Sequence, residues 1–219
     1  MSNGRRFVPH VIQKTFAVPP LGCNCSILGD PESGEAVIVD PGGNPEQLLA
    51  EVRRLGLTVV RVLHTHAHFD HFLASGDIRK ATRAPLCLHP DDEALWKMLE
   101  VQCQAFGVPY VPAPDLDCWI RDEEKLSFGS VSVRALHTPG HTPGSLSFYI
   151  ADEQLLLSGD TLFRGGIGRT DLWGGDARAI QSSIRERLFS LDPATRVIPG
   201  HGPATQIGLE REYNPFVAG

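Results

Sequence analysis

The sequence predicts an α/β fold with a two-layer sheet core flanked by helices. Three observations point to it. A strand, a helix and a second strand follow one another closely between residues 37 and 63, which makes a βαβ unit. Helical patterns occur in both halves of the chain, between groups of strands. The 219 residues show no repeat, linker or low-complexity stretch, and 42% of them are hydrophobic, enough for one sizeable core. A single domain over residues 1–219 is expected.

Residues 37–39 are an apolar run stopped by Asp40-Pro41-Gly42-Gly43, which reads as a buried strand ending in a turn. In residues 44–55 the side chains of Leu48, Leu49, Val52 and Leu55 share one helical face, and Gly56 ends the pattern. Residues 59–63 are a second apolar strand. A helix is expected after His71, and another over residues 90–106, with Leu95, Met98, Leu99 and Cys103 along one face. Residues 131–136, 145–150 and 154–157 read as strands. Residues 176–191 form a helix on Ile180, Ile184, Leu188 and Leu191, and residues 196–198 the last strand.

The charge count, 20 basic against 26 acidic, gives a net of −6. That argues against nucleic acid, which needs a basic face, but not against an anionic small molecule met by a few arginines. The charged start, Met1 to Arg6, is followed by Pro9, His10, Gln13 and Lys14, which interrupt any apolar stretch, so no secretory signal is expected. No apolar run approaches the ~20 residues of a membrane helix. The five cysteines (Cys23, Cys25, Cys87, Cys103, Cys118) are therefore expected to be reduced thiols of a cytoplasmic protein. Cys23 and Cys25, with no second pair, read as small buried strand residues rather than zinc ligands.

The strongest chemical signal is Thr65-His66-Ala67-His68-Phe69-Asp70-His71, directly after the 59–63 strand. In an extended backbone alternate side chains share a direction, so His66 and His68 can reach one ion together. The turn into the next helix then sends Asp70 and His71 another way, toward a second. Three further candidates each end a strand among small residues: His141 in Pro139-Gly140-His141-Thr142-Pro143-Gly144, Asp160 in Ser158-Gly159-Asp160-Thr161, and His201 in Pro199-Gly200-His201-Gly202. Imidazoles around carboxylates suit zinc, and also iron or manganese.

This order, H-x-H-x-D-H followed by His, Asp and His, resembles the metallo-β-lactamase superfamily over nearly the whole chain from about Cys25. Within it the chain is similar to the glyoxalase II group, the hydroxyacylglutathione hydrolases, in their short single-domain bacterial form. Val39-Asp40-Pro41-Gly42-Gly43, Gly159-Asp160-Thr161-Leu162-Phe163, Gly166-Ile167-Gly168-Arg169-Thr170-Asp171 and the ending Pro199 to Pro203 through Asn214-Pro215-Phe216 carry that similarity. The resemblance implies an αββα sandwich of two mixed sheets. It implies two divalent metal ions, zinc first. His66, His68 and His141 would hold one, Asp70, His71 and His201 the other, and Asp160 would bridge them, with a hydroxide between the ions as nucleophile. The chain departs from the pattern at Ser145, where many relatives have a non-ligand histidine. It also ends where longer glyoxalase II enzymes continue into a helical extension that grips glutathione.

A thioester such as S-lactoylglutathione is the expected substrate. A metal lowers the pKa of water to near ~7, and a thiolate of pKa about 8.5 leaves without strong acid assistance. No G-x-S-x-G motif supports a covalent route. The alternatives are a persulfide dioxygenase using one iron on His66, His141 and Asp160, and a non-catalytic metal-binding module. Arg169, on the glycine-rich loop, is the candidate for holding a glutathione carboxylate. Trp173 and Tyr110 either line the pocket or pack. His10, His64, His89 and His137 fall outside the pattern and read as structural. Asp40 reads first as a turn-capping carboxylate, with a bond to a ligand histidine as the second reading. No nucleic acid or membrane partner is expected; the protein would be a monomer or homodimer.

Overall fold

A computed structural model describes residues 11–217. Two six-stranded mixed sheets form its centre. The first contains β1 (Ile12–Val18), β2 (Cys23–Gly29), β3 (Glu35–Val39), β4 (Thr58–Leu63), β5 (Leu86–Leu88) and β6 (Cys118–Trp119), in that order across the sheet. β1 to β3 are antiparallel, while β3 to β6 are parallel. The second sheet contains β7 (Lys125–Phe128), β8 (Val131–His137), β9 (Leu146–Ile150), β10 (Leu155–Gly159), β13 (Arg196–Pro199) and β14 (Thr205–Gln206). Its one parallel pair is β10 with β13. A small ribbon, β11 (Leu162–Phe163) with β12 (Gly166–Ile167), follows β10.

Strand periodicity explains the layering. Along β3, Val37 and Val39 face the other sheet, and Ile38 faces the outer helices. Along β10, Leu155 and Leu157 point inward, and Leu156 points to the opposite helical layer. Both faces of each strand are covered, so these strands read as continuous apolar runs rather than alternating ones. Helices α1 (Pro45–Arg54), α2 (Ser75–Thr82), α3 (Glu93–Lys97) and α4 (Leu99–Phe106) cover the first sheet, and α5 (Ala177–Ser182) and α6 (Ile207–Tyr213) the second.

The helix expected over 90–106 is broken. A 3₁₀ turn over Pro90–Asp92 precedes α3, and Met98 (ψ 13°) separates α3 from α4. The break lets Trp96 on one piece and Gln102 on the other both turn inward. The 176–191 helix starts as expected: the Asp176 side chain accepts from the Arg178 and Ala179 amides, capping it. It then widens into π-type turns over Ser183–Leu188.

The expectation of five reduced cysteines is corrected. Cys87 and Cys118 form a disulfide. They are directly paired across the neighbouring strands β5 and β6, with Cα atoms 4.7 Å apart, within bonding reach. Cys23, Cys25 and Cys103 are free and buried. Among the described residues no helix is long and apolar enough to cross a membrane.

Candidate metal centre

Strands β8, β10 and β13 run in one direction, and their C-terminal ends deliver His141, Asp160 and His201 to the same edge of the second sheet. The first sheet brings its own strand end there: after β4 the chain runs through Thr65 to His71, the last three residues in a 3₁₀ turn. Backbone bonds lock the edges together. The Leu146 amide donates to Thr65 O (2.7 Å) and the Asn24 amide to Gly200 O (2.7 Å).

The seven residues expected to bind metal meet here. Donor atoms of His66, His68 and His141 lie within 4.8 Å of one another, as do those of Asp70, His71 and His201. His66, His71 and Asp160 form a third such group, which joins the other two. Asp160 reaches both sides: its oxygens lie 3.5 Å from His141 Nε2, 3.5 Å from His71 Nε2 and 3.7 Å from His201 Nε2. Gly200 allows this crowding, since a Cβ there would sit 2.0 Å from Asp160 Oδ1.

The hydrogen bonds behind the cluster fix which nitrogens face into it. His141 Nδ1 lies 2.8 Å from the Arg169 carbonyl, which only accepts, so Nδ1 carries the proton. The Thr65 hydroxyl gives its one proton to Asp40 Oδ2 (2.6 Å), so it can only accept from His66 Nδ1 (3.0 Å). Asp40 Oδ2 also accepts from His71 Nδ1 at 3.0 Å, and Oδ1 from the Thr65 amide at 2.7 Å. The Nε2 atoms of His66 and His141, and of His71 when neutral, thus carry lone pairs aimed inward; that of His66 has no partner, while His141 Nε2 lies 2.8 Å from His68 Nδ1 and His71 Nε2 lies 3.2 Å from His201 Nε2. Asp40 therefore acts through the bond to a candidate ligand histidine, the second of its two sequence readings; its carboxylate organises one histidine directly and another through Thr65.

Electrostatics favour a cation. Burial, reinforced by His71, His141 and His68, keeps His66 neutral, its affinity for a proton well below the imidazole range. Burial and His141 lower His68 to about 3. Burial opposes a charge on His71, yet Cys23, Asp70 and Asp160 raise it well above the ordinary value. Burial would raise Asp70, but His71 and His201 hold it at about 2. The carboxylates that attract a proton to His71 would attract a metal ion equally. The residues fit such an ion. His66 Nε2, His68 Nε2, Asp70 Oδ2 and Asp160 Oδ1 are buried without a hydrogen bond, which is costly unless something else satisfies them. Asp70 Oδ2 has His201 Nε2 at 3.1 Å, off the hydrogen-bond direction.

Two organising residues escaped the sequence reading. Asp92 is fully buried; it accepts from the Ala67 amide (2.9 Å), the Thr142 hydroxyl (2.8 Å) and the Gly144 amide (2.6 Å), tying the His66–His71 loop to the His141 loop. Gln102 accepts from the Phe69 amide (3.0 Å) and donates to Ala67 O (3.0 Å) and Leu95 O (2.8 Å). Gln102 left a signal: it lies on the apolar stripe of Leu95, Leu99 and Cys103.

A cavity of about 420 Å³ opens over His68, His141, Asp160 and His201, with Arg169 on its wall. Arg169 is half exposed and bonds Asp171 through Nε (2.7 Å) and Nη2 (2.8 Å). Trp173 packs against the core and Tyr110 is exposed; neither lines the cavity. His64 lies outside the cluster, bonded to Cys87 O and Ser75 Oγ. His89 and His137 stack face to face at 4.2 Å, with His137 Nε2 donating to Pro143 O. His10 lies outside the described residues.

Comparison with known proteins agrees with this architecture. The family described as the metallo-beta-lactamase superfamily matches residues 18–201. The probable metallo-hydrolase YqgX of Bacillus subtilis is 38% identical, over 94% of this chain and 97% of its own. The hydroxyacylglutathione hydrolase GloC of Haemophilus influenzae is 38% identical, over 89% and 92%. Among solved structures, BLEG-1 B3 metallo-beta-lactamase superposes with a TM-score of 0.88 at 39% identity, covering 95% of this chain and 100% of its own. TTHA1623 in a di-iron-bound form gives 0.83 at 40%, covering 93% and 99%, and ETHE1 from Myxococcus xanthus 0.81 at 29%, covering 94% and 84%.

Proposed function

The chain belongs to the metallo-beta-lactamase superfamily, and from that premise we propose that it is a two-metal hydrolase of thioesters, glutathione thioesters such as S-lactoylglutathione first among them. One observation carries the reading: Asp70, His71 and His201 converge beside His66, His68 and His141, with Asp160 in reach of both groups. A one-iron oxygenase has no chemical need for the second set.

In this reading His66, His68 and His141 hold one ion, Asp70, His71 and His201 the other, and Asp160 is shared. Zinc suits the donors, and the di-iron relative keeps iron in play. Ions held there would lower the pKa of water toward neutrality and polarise an acyl carbonyl. The protein's own groups do the positioning. Asp40, Thr65 and the Arg169 carbonyl fix the imidazole orientations, and Asp92 and Gln102 hold the loops. Cys23, 3.3 Å from His71 Nδ1, is no competing nucleophile, because burial pushes its thiol up to about 12. A thiolate leaving group needs no strong acid, and the cluster supplies none beyond its own ligands. GloC, a hydroxyacylglutathione hydrolase by name, supports glutathione as the thiol carrier. Arg169 on the rim is the group placed to meet one of its carboxylates, by sharing or displacing Asp171.

The test is cleavage of S-lactoylglutathione by metal-loaded protein without oxygen. The expected outcome is turnover independent of oxygen and severely impaired in His71→Ala. Oxygen consumption with glutathione persulfide, supported by iron and indifferent to His71→Ala, would replace the hydrolase with the dioxygenase.

A further inference from the structure

We propose that the cavity above the His/Asp cluster is an apolar ligand pocket that selects an alkyl or acyl chain, with Phe106 and Leu21 as its outer determinants. The proposal deepens the hydrolase reading, on which it rests for the reaction but not for binding.

Apart from the candidate metal ligands, Gln102 and Arg169, the cavity wall is apolar. Leu21, Phe69, Phe106, Phe163, Ile167 and Leu172 line it. Two of these large side chains stand in water at the mouth, Leu21 at 51% exposure and Phe106 at 39%. The Phe106 ring lies 5.0 Å from that of buried Phe69, so the exposed ring continues an apolar surface running inward. Large apolar side chains exposed beside a polar centre are what an apolar ligand would cover.

The remaining polar side chains on the wall, among the described residues, are Gln102 and Arg169. Neither is idle. The Gln102 amide makes three bonds inside the protein. Arg169 gives Nε and Nη2 to Asp171, so the rim carries no net charge there. A glutathione moiety brings two carboxylates and an ammonium, and meets one arginine already paired. Arg169 would meet the carboxylate of any glutathione conjugate alike, so the apolar wall is left to discriminate between their chains. Each methylene moved from water onto that wall should tighten binding by roughly fourfold.

The experiment is calorimetry of zinc-loaded protein with S-methyl-, S-butyl-, S-hexyl- and S-octylglutathione. These thioethers cannot be hydrolysed, so binding is read apart from catalysis. The expected result is a Kd falling by about fourfold per methylene until the cavity is filled. In Phe106→Ala the slope should flatten, and Phe106→Leu should restore most of it, which separates lost apolar wall from misfolding. Affinity independent of chain length, no binding of any thioether at millimolar concentration, or equal slopes in wild type and Phe106→Ala would each overturn the proposal. The matching thioesters, assayed in parallel, keep the two readings apart. Length-dependent thioether binding with no thioester cleaved would sink the hydrolase and leave the pocket. Thioester cleavage with length-independent binding would do the reverse.

Discussion

Asp40 sits one bond behind one candidate ligand and two bonds behind another, and that position gives it a measurable signature. It accepts from His71 Nδ1 and, through the Thr65 hydroxyl, sets the orientation of His66. Bonds of this kind typically account for 10–100-fold in metal affinity. Asp40→Ala should therefore weaken both ions by about that factor, whereas Thr65→Val should weaken chiefly the ion on His66. Competition with a chromophoric chelator measures each. Equal, minor losses in both variants would return Asp40 to the role of a turn residue. At this scale the seven His and Asp candidates were legible because four fall within one six-residue run and the others end strands among small residues. Asp40 was legible as one of two readings. Asp92 was not, because its partners lie 25, 50 and 52 residues away and leave no local pattern.

Elements carry the site by ending where they do, and the opposite strand ends need their own fastening. Asp30, just past β2, accepts from the Ser130 and Glu32 amides and from the Ser33 hydroxyl, joining the first sheet to the β7–β8 turn. Gly129 makes room for it: with φ +54°, a Cβ there would fall 1.9 Å from Asp30 Oδ2. The Ser130 and Glu32 amides hold the Asp30 carboxyl at about 2, below the ~3.9 of an unfolded chain. A lowered folded-state pKa means stabilisation that is present above pH ~4 and lost as pH falls through about 2. In Asp30→Asn the urea midpoint should be lower at neutral pH, and the gap to wild type should close between pH ~4 and ~2. A gap that persists at acid pH would show that charge plays no part in the clamp. The long, periodic elements were readable: the 44–55 helix and the strands through 39, 63, 150 and 198 sit within two residues of expectation, and the 176–191 helix starts within one residue but ends three early, at Leu188. Short β5 and β6 were not, for three and two residues carry no period; the disulfide that joins them went unforeseen with them.

Across the whole molecule, three apolar layers hold two sheets and their helices together, yet the candidate ligands belong to both sheets. The loop after β4 supplies His66, His68, Asp70 and His71, and β8, β10 and β13 lead to His141, Asp160 and His201. An ion bound there cross-links the halves of the sandwich, and the folded state gains the corresponding binding free energy. The fold class was readable before the structure because βαβ order and doubly buried strands constrain it. The acyl group was not, since the cavity wall gathers Leu21, Phe106 and Leu172 from distant segments. Asp160 is the carboxylate proposed to be shared by the two ions, and the decisive measurement is metal content per chain by mass spectrometry, after dialysis, for wild type and Asp160→Ala side by side. The expected result is about two ions in wild type and loss of both from the variant, because the two cations would then face each other unscreened. A wild-type protein holding one ion, or an Asp160→Ala protein retaining both, would contradict it.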